Sequence, residues 1–471
     1  MLNDLKEIIA INSANAPRSA ADAPFGQEVR NALDWFLNKS SEYGLKVGEK
    51  KGFYGWAEYG PQDAPIIGVP IHLDIVPVGD GWTGDPLALR IEDGKAYGRG
   101  VSDDKGPTVA VMWALKRIKE EGVKLRHRVR IIAGCNEETG RESMAEYISS
   151  DEIPVMSFVP DAEFPVINSE RGILHLNARL ALDETFTNSV SVLTGGKTIN
   201  VVPASASVTL KKDGEAYQYL SEQSDGAITD AIFKLPRIAL RLVEIGANAS
   251  EFTIEEDETG LTFTANGVAG HASTPELGDN AIWKIFALLR ALLPESQTVS
   301  AVYDNFCRQD ALNKIDAFYS DEESGTITMS LDLLERSDGE LSFSFDFRIP
   351  LCATPELIKE KIETALKNKA PSLAVTATVL RFNENLFVPK DSPLVKTLLS
   401  VYEKITGEKN TKPLQIGGGT YARDFPSAVA FGPTFPGVET NIHNADENMP
   451  VEDLYKLVEI YYQTILELDK I

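Results

Sequence analysis

Three apolar runs, Pro65 to Leu73, Val129 to Gly134 and Val155 to Val159, each give way to acidic residues or a histidine: His72 and Asp74, then Asn136-Glu137-Glu138, then Pro160-Asp161-Ala162-Glu163. Runs of this length suit strands buried on both faces. Helical patterns alternate with them. One runs from about Gln27 to Glu42, and another, which an acidic residue or serine of Ser102-Asp103-Asp104 can cap, leaves at Gly122. A hairpin is expected around Asp93-Gly94. Such alternation predicts an α/β layer, and ligands of open α/β sheets gather at the carboxyl ends of strands. The acidic strand ends therefore mark where a site belongs.

After about Arg171 the texture changes. Ile173 to Leu182, Val202 to Leu210, Thr326 to Leu334 and Glu340 to Ile349 alternate polar and apolar residues, as antiparallel strands with one exposed face do. Helical patterns at Asn280 to Leu293 and Pro355 to Lys367 interrupt them, which reads as an α+β domain. From about Phe387 the α/β texture returns, with a helix near Pro393 to Thr406, a Gly417-Gly418-Gly419 loop, an apolar run Ala428 to Phe431 and a closing helix from about Pro450 to Leu468. The chain of 471 residues exceeds one ordinary hydrophobic core. The expected organisation is one domain formed by residues 1–171 and 386–471, with residues 172–385 inserted as a second.

Seventy Asp plus Glu against 46 Lys plus Arg leave a formal charge of -24, which repels nucleic-acid phosphates and anionic membrane surfaces; neither is an expected partner. Cys135, Cys307 and Cys352 are scattered and lack CxxC spacing, so neither a disulfide framework nor a thiolate zinc site is expected. With no apolar run long enough to span a membrane and no long apolar run near Met1, the expected location is cytoplasmic.

Taken singly, the polar strand ends are ambiguous. Asp74, two residues from His72, faces the same side of an extended chain and can fix the imidazole's tautomer, as partners of metal-bound histidines do. A lone histidine at a strand end is more often structural. Glu137 and Glu138 would repel each other if buried, a conflict that a cation resolves, but they can equally be solvated loop residues. Asp103 and Asp104 can serve a cation or cap a helix, and Asp161 carries the same two readings.

Order and spacing decide between them. His72-x-Asp74, Gly98-Arg99-Gly100-x-x-Asp103-Asp104-Lys105-Gly106-Pro107, Asn136-Glu137-Glu138-Thr139, Pro160-Asp161-Ala162-Glu163 and a late His443 resemble, in that order, the superfamily of aminoacylase, carnosinase, succinyl-diaminopimelate desuccinylase and glutamate carboxypeptidase. The resemblance covers nearly the whole chain and is closest to the PepV-type dipeptidases. It implies a zinc-peptidase-like α/β catalytic domain, a mixed sheet flanked by helices, with an inserted α+β lid domain. It also implies two divalent metal ions bridged by Asp103, one completed by His72 and Asp161, the other by Glu138 and His443. Glu137 would be the general base that takes a proton from a metal-bridging water, while Asp74 orients His72. Nitrogen and carboxylate donors without thiolate suit zinc first, with manganese or cobalt as alternatives. The family usually has glycine where this chain has Ile71, a departure that removes no ligand.

The same resemblance makes Gly267-Val268-Ala269-Gly270-His271-Ala272-Ser273-Thr274-Pro275 the lid motif, with His271 and Asn200 stabilising the oxyanion; on its residues alone it is a capped turn. Arg348 would grip the substrate carboxylate, joined by backbone N–H groups of the loop holding Gly418 and Gly419. That loop lacks the Lys-Ser or Lys-Thr ending of a phosphate loop. His127, His175 and Cys135 are expected to be structural. The function implied is a metal-dependent dipeptidase acting on small peptides with a free C-terminal carboxylate. Hydrolysis of N-acyl amino acids, or exopeptidase action on longer chains, is the alternative, and a non-catalytic peptide-binding protein comes third. The long insert resembles that of the PepV type and implies a monomer that supplies its own His271.

Overall fold

The computed structural model describes residues 1–223 and 232–471. The chain divides into two compact units, Met1–Glu170 with Leu386–Ile471, and Arg171–Asn385. The first is α/β. Its nine-stranded mixed sheet runs in the order Lys46–Lys50, Tyr54–Tyr59, Arg128–Gly134, Ile66–His72, Met156–Val159, Ala428–Ala430, Ile167–Glu170 and Leu386–Phe387, with Leu414–Ile416 also paired to Ile167–Glu170. Ile66–His72 is parallel to both Arg128–Gly134 and Met156–Val159. All three apolar runs therefore deliver their polar ends to one edge of the sheet. Every residue of Ile66–His72 and Arg128–Gly134 is buried, as strands covered on both faces are, and the charges of Arg128 and Arg130 are met by Glu152, Glu58 and Asp151. Pro70 is tolerated in a central strand because the pairing with Met156–Val159 covers only Ile67 and Gly68, before the missing N–H is reached.

Helices Gln27–Glu42 and Pro393–Thr406 form over the expected residues, and Lys105–Glu120 packs with the closing helix Val451–Leu468. The hairpin Arg90–Glu92 to Lys95–Tyr97 turns at Asp93 and Gly94, with φ of 48° and 78°, the left-handed pair that a tight two-residue turn demands.

The second unit is α+β. Its eight-stranded antiparallel sheet is ordered Phe252–Glu256, Leu261–Asn266, Ser205–Leu210, Val190–Gly195, Thr328–Ser337, Glu340–Ile349, Gly172–Ala181 and Val375–Asn383. Gly172–Ala181 alternates buried and more exposed residues, and helices Ala281–Leu292 and Pro355–Lys369 contribute to a core separate from that of the first unit. Two expected strands are interrupted. Val202 does not start a strand, because Val201 bridges to His271 and the Val202 N–H donates to the Gly270 carbonyl, leaving the strand to begin at Ser205. The run Thr326 to Leu334 breaks after Thr326, and the longer strand bulges between Leu331 and Leu333. Helices Glu142–Ser150 and Gln297–Phe306 were not legible as separate elements. Among the described residues, no helix is long and apolar enough to cross a membrane.

Candidate metal centre

His72 ends its strand, and three contacts fix its ring. Its backbone N–H donates to Asp104 Oδ2 at 3.1 Å, Nδ1 lies 3.0 Å from the carbonyl of Asp74, and Nε2 lies 2.8 Å from Asp103 Oδ1 and 3.7 Å from Asp161 Oδ1. A carbonyl only accepts, so Nδ1 carries the proton and Nε2 presents its lone pair in the neutral ring. The contact expected of the Asp74 carboxylate is thus made by its backbone. The carboxylate sits 3.6 Å from Nδ1 and instead accepts the N–H groups of Glu137 at 3.0 Å and Glu138 at 3.1 Å, holding the turn that aims both glutamates. Asp104 stands at the N-cap position of Lys105–Glu120, but its side chain makes no capping bond. It serves His72 instead. The Asp103–Asp104 peptide is cis.

Asp103 joins both ends of the chain. Its Oδ1 faces His72, while its Oδ2 lies 2.9 Å from His443 Nε2, which is also 3.2 Å from Glu138 Oε2. Potential ligand atoms of His72, Asp103 and Glu138 lie within 4.8 Å of one another, as do those of His72, Glu137 and Asp161. The carboxylate expected to bridge two ions therefore points its two oxygens at different imidazoles. Charge supports the same reading. Burial pushes Glu137 well above the carboxylate range, Glu138 to about 7 and Asp161 to about 6. Hydrogen bonds to Asp103 and Glu138 hold His443 at about 10. Burial alone would lower His72, but Asp161, Asp103 and Asp74 outweigh it and raise it well above the imidazole range. So many buried carboxylates around two imidazoles are short of positive charge, and N/O donors of this kind fit divalent cations.

The side chain that ties the centre together had no role in the sequence reading. Glu447, buried four residues after His443, accepts from Arg99 at 2.7 Å and from the backbone N–H groups of Gly100, Ser102 and Asp103 at 3.1, 2.9 and 3.2 Å. It clamps the Asp103 loop to the His443 loop. A glutamate inside the Asn441 to Glu447 string was visible, but its partners lie far away in sequence.

A cleft of about 360 Å³ is lined by Asp103, Glu137, Glu138, Asp161 and His443 and also by Gly418 and Gly419. Glu170 supports that glycine loop: it accepts from Thr420 Oγ1 at 2.8 Å and from Arg423 Nε at 2.6 Å, and Arg423 in turn bonds the Gly418 carbonyl. A Cβ on Gly419 would fall 2.7 Å from Arg423 Nε, so it is contact rather than backbone freedom that requires glycine there. Gly134 likewise gives way to the ring of Tyr421, whose hydroxyl bonds Ser143.

In the inserted unit, His271 and Asn200 are brought together. Val201 bridges to His271, and the Ala272 N–H donates to the Asn200 carbonyl at 3.0 Å. The Ser273 N–H donates to His271 Nδ1 at 3.1 Å, which leaves the neutral ring's proton on Nε2. Asn200 has a φ of 84°, and its N–H is held at 2.8 Å by Asp332, the buried residue at the strand bulge. Arg348 is gripped by Asp346 through two bonds of 2.7 and 2.9 Å, and His175 approaches the same carboxylate at 3.3 Å.

The sequence pattern of peptidase family M20/M25/M40 matches residues 69–467. Over 482 residues the chain is 33% identical to YtjP of Bacillus subtilis (strain 168), covering 100% of this chain and 97% of that one. It is 31% identical over 485 residues to the β-Ala-Xaa dipeptidase of Lactobacillus delbrueckii subsp. lactis, covering 100% and 96%. Human carnosine dipeptidase 1 has the same fold at a TM-score of 0.55 and 15% identity, with 100% and 97% covered. So does the metallo-carboxypeptidase Sso-CP2 of Sulfolobus solfataricus, at 0.57 and 16%, with 100% and 99% covered.

Proposed function

The chain belongs to peptidase family M20/M25/M40, and from that premise we propose that it is a metal-dependent dipeptidase cutting small peptides with a free C-terminal carboxylate. The observation that carries this reading is Asp103, whose two oxygens face separate imidazoles at 2.8 and 2.9 Å in a cleft that also holds Glu137. Two divalent ions, held by His72 and Asp161, by Glu138 and His443, and by Asp103 in common, would supply Lewis acidity for the scissile carbonyl and acidify water. Zinc fits the donors first, with manganese or cobalt as alternatives. Glu137 takes the proton of the attacking water and returns it to the leaving amine. The Asp74 carboxylate keeps Glu137 in place by accepting its backbone N–H. Gly418 and Gly419 offer the substrate carboxylate their backbone, and Arg348 adds its charge.

His271 and Asn200 stabilise the developing oxyanion in this reading, supported by their pairing and by the proton on His271 Nε2. The protein works as a monomer in the cytoplasm. Its three cysteines are free, which suits a reducing compartment.

A panel of dipeptides, their C-terminal amides and N-acyl amino acids, assayed with added zinc or manganese, tests the activity. Dipeptides are expected to turn over, and the amides to lose roughly 10–100-fold in kcat/KM, as befits a charge-assisted contact. Turnover of N-acyl amino acids alone, or equal rates on acid and amide, would overturn the assignment. Mixing inactive Glu137→Gln with inactive His271→Ala protein, with time for subunit exchange, should restore nothing. Recovered activity with a dimer's sedimentation would refute the monomer.

A further inference from the structure

The inserted unit holds a cavity of its own. It has a volume of about 460 Å³ and shares no lining residue with the metal cleft, and Trp283, Leu312, Phe318, Ile327 and Met329 make much of its wall apolar. That size and lining are those of a small-molecule site. Three charged side chains line it as well, Arg308, Glu276 and Asp279. Asp279 is committed to Lys284. Arg308 donates from Nε to Asp310 at 2.9 Å, and its two terminal nitrogens make no hydrogen bond among the described residues. They form the fork that suits a carboxylate. Glu276 lies in the field of Arg171, but its carboxylate makes no hydrogen bond or ion pair among the described residues, so it is open to an ammonium.

A carboxylate, an ammonium and a bulky apolar group on one small molecule describe a free amino acid, the class of product that cutting a dipeptide releases. We propose that this cavity binds a free amino acid with a bulky apolar side chain, and that its occupation acts on His271 and Asn200. Calling the ligand a product rests on the peptidase reading above. The cavity wall leads to both residues through few contacts. Val202 lines it, and the Val202 N–H holds the carbonyl of Gly270, next to His271, at 2.9 Å; Gly278, also in the wall, packs so closely that a Cβ there would lie 2.9 Å from Val202. Ser330 lines it too, and its hydroxyl bonds Asp332, which holds the Asn200 N–H at 2.8 Å. A ligand that presses on Val202 or Ser330 therefore shifts a residue placed at the oxyanion. Such an effect falls on kcat, because oxyanion contacts are made in the transition state.

Trp283 reports binding apart from turnover. Phenylalanine titrated into the zinc-loaded enzyme should change the tryptophan fluorescence saturably, and Trp283→Phe should abolish that change. Arg308→Gln should weaken binding ~10–100-fold, the size of a charge-assisted contact, and so should replacing phenylalanine with phenethylamine, which lacks the carboxylate, or with 3-phenylpropanoate, which lacks the ammonium. With alanyl-alanine as substrate, phenylalanine at a saturating concentration should change kcat about 5-fold or more, as coupled sites do, while KM stays nearly constant. The same concentration should leave Arg308→Gln enzyme almost unaffected. No saturable change, a change that survives Trp283→Phe, or an affinity indifferent to Arg308→Gln would overturn the proposal. So would a rise in KM alone, the mark of phenylalanine competing in the metal cleft. A protein that binds phenylalanine through Arg308 yet hydrolyses no dipeptide would instead refute the dipeptidase reading and leave the amino-acid site standing.

Discussion

Glu137→Gln protein is expected to lose ~10²–10⁴ of its turnover while still binding two metal ions, the loss typical of removing a general base. Glutamine keeps the shape of the side chain and its backbone N–H, which Asp74 Oδ1 holds at 3.0 Å, so the turn carrying Glu138 should survive. What disappears is the ability to accept a proton. The result also decides between two roles, because a potential ligand atom of Glu137 lies within 4.8 Å of those of His72 and Asp161. If Glu137 coordinates, metal content measured by elemental analysis falls with activity. If it only moves protons, content stays at two ions per chain. Near-normal turnover would refute both roles.

Asp103→Ala should behave in the opposite way, with metal content and activity falling together. Each Asp103 oxygen faces a different imidazole, His72 at 2.8 Å and His443 at 2.9 Å, so truncation withdraws a donor from both positions at once. Affinity should drop at both, by more than the roughly 10–100-fold that follows loss of an outer partner. Competition with a chromophoric chelator reads this directly. An Asp103→Ala protein that retains two tightly bound ions would mean the bridge lies elsewhere.

Much of this centre can be read from the chain because its ligands stand at strand ends, where period and punctuation are strong. His72, Glu138 and Asp161 follow apolar runs that become neighbouring parallel strands. The supports were harder to see for a physical reason. Asp74 was expected to orient His72 through its carboxylate, on the assumption that the chain stays extended; the strand stops at His72, and the carboxylate turns to the N–H groups of Glu137 and Glu138. Glu447 and Asp332 act on backbone N–H groups far away in sequence, and such contacts leave no periodic trace. The grip of Asp346 on Arg348 was legible in principle, since residues two apart share a face of a strand.

The clamp at Glu447 also has a consequence for how the molecule comes to be folded. Arg99 and Glu447 stand 348 residues apart, so the ion pair closes one of the longest loops the chain can make. Residues 171–385 form a compact unit within that loop, and its entry and exit meet, with Ile173 opposite Asn383. Once this unit has folded, the loop left to close is less than half as long. Loop-closure entropy changes slowly with length, so the equilibrium gain is only about 1 kcal/mol. The larger effect is on rate, because distant contacts slow the search for the native topology. An insert that folds ahead of the rest would act as an internal staple, bringing the two halves of the metal-binding unit within reach of each other.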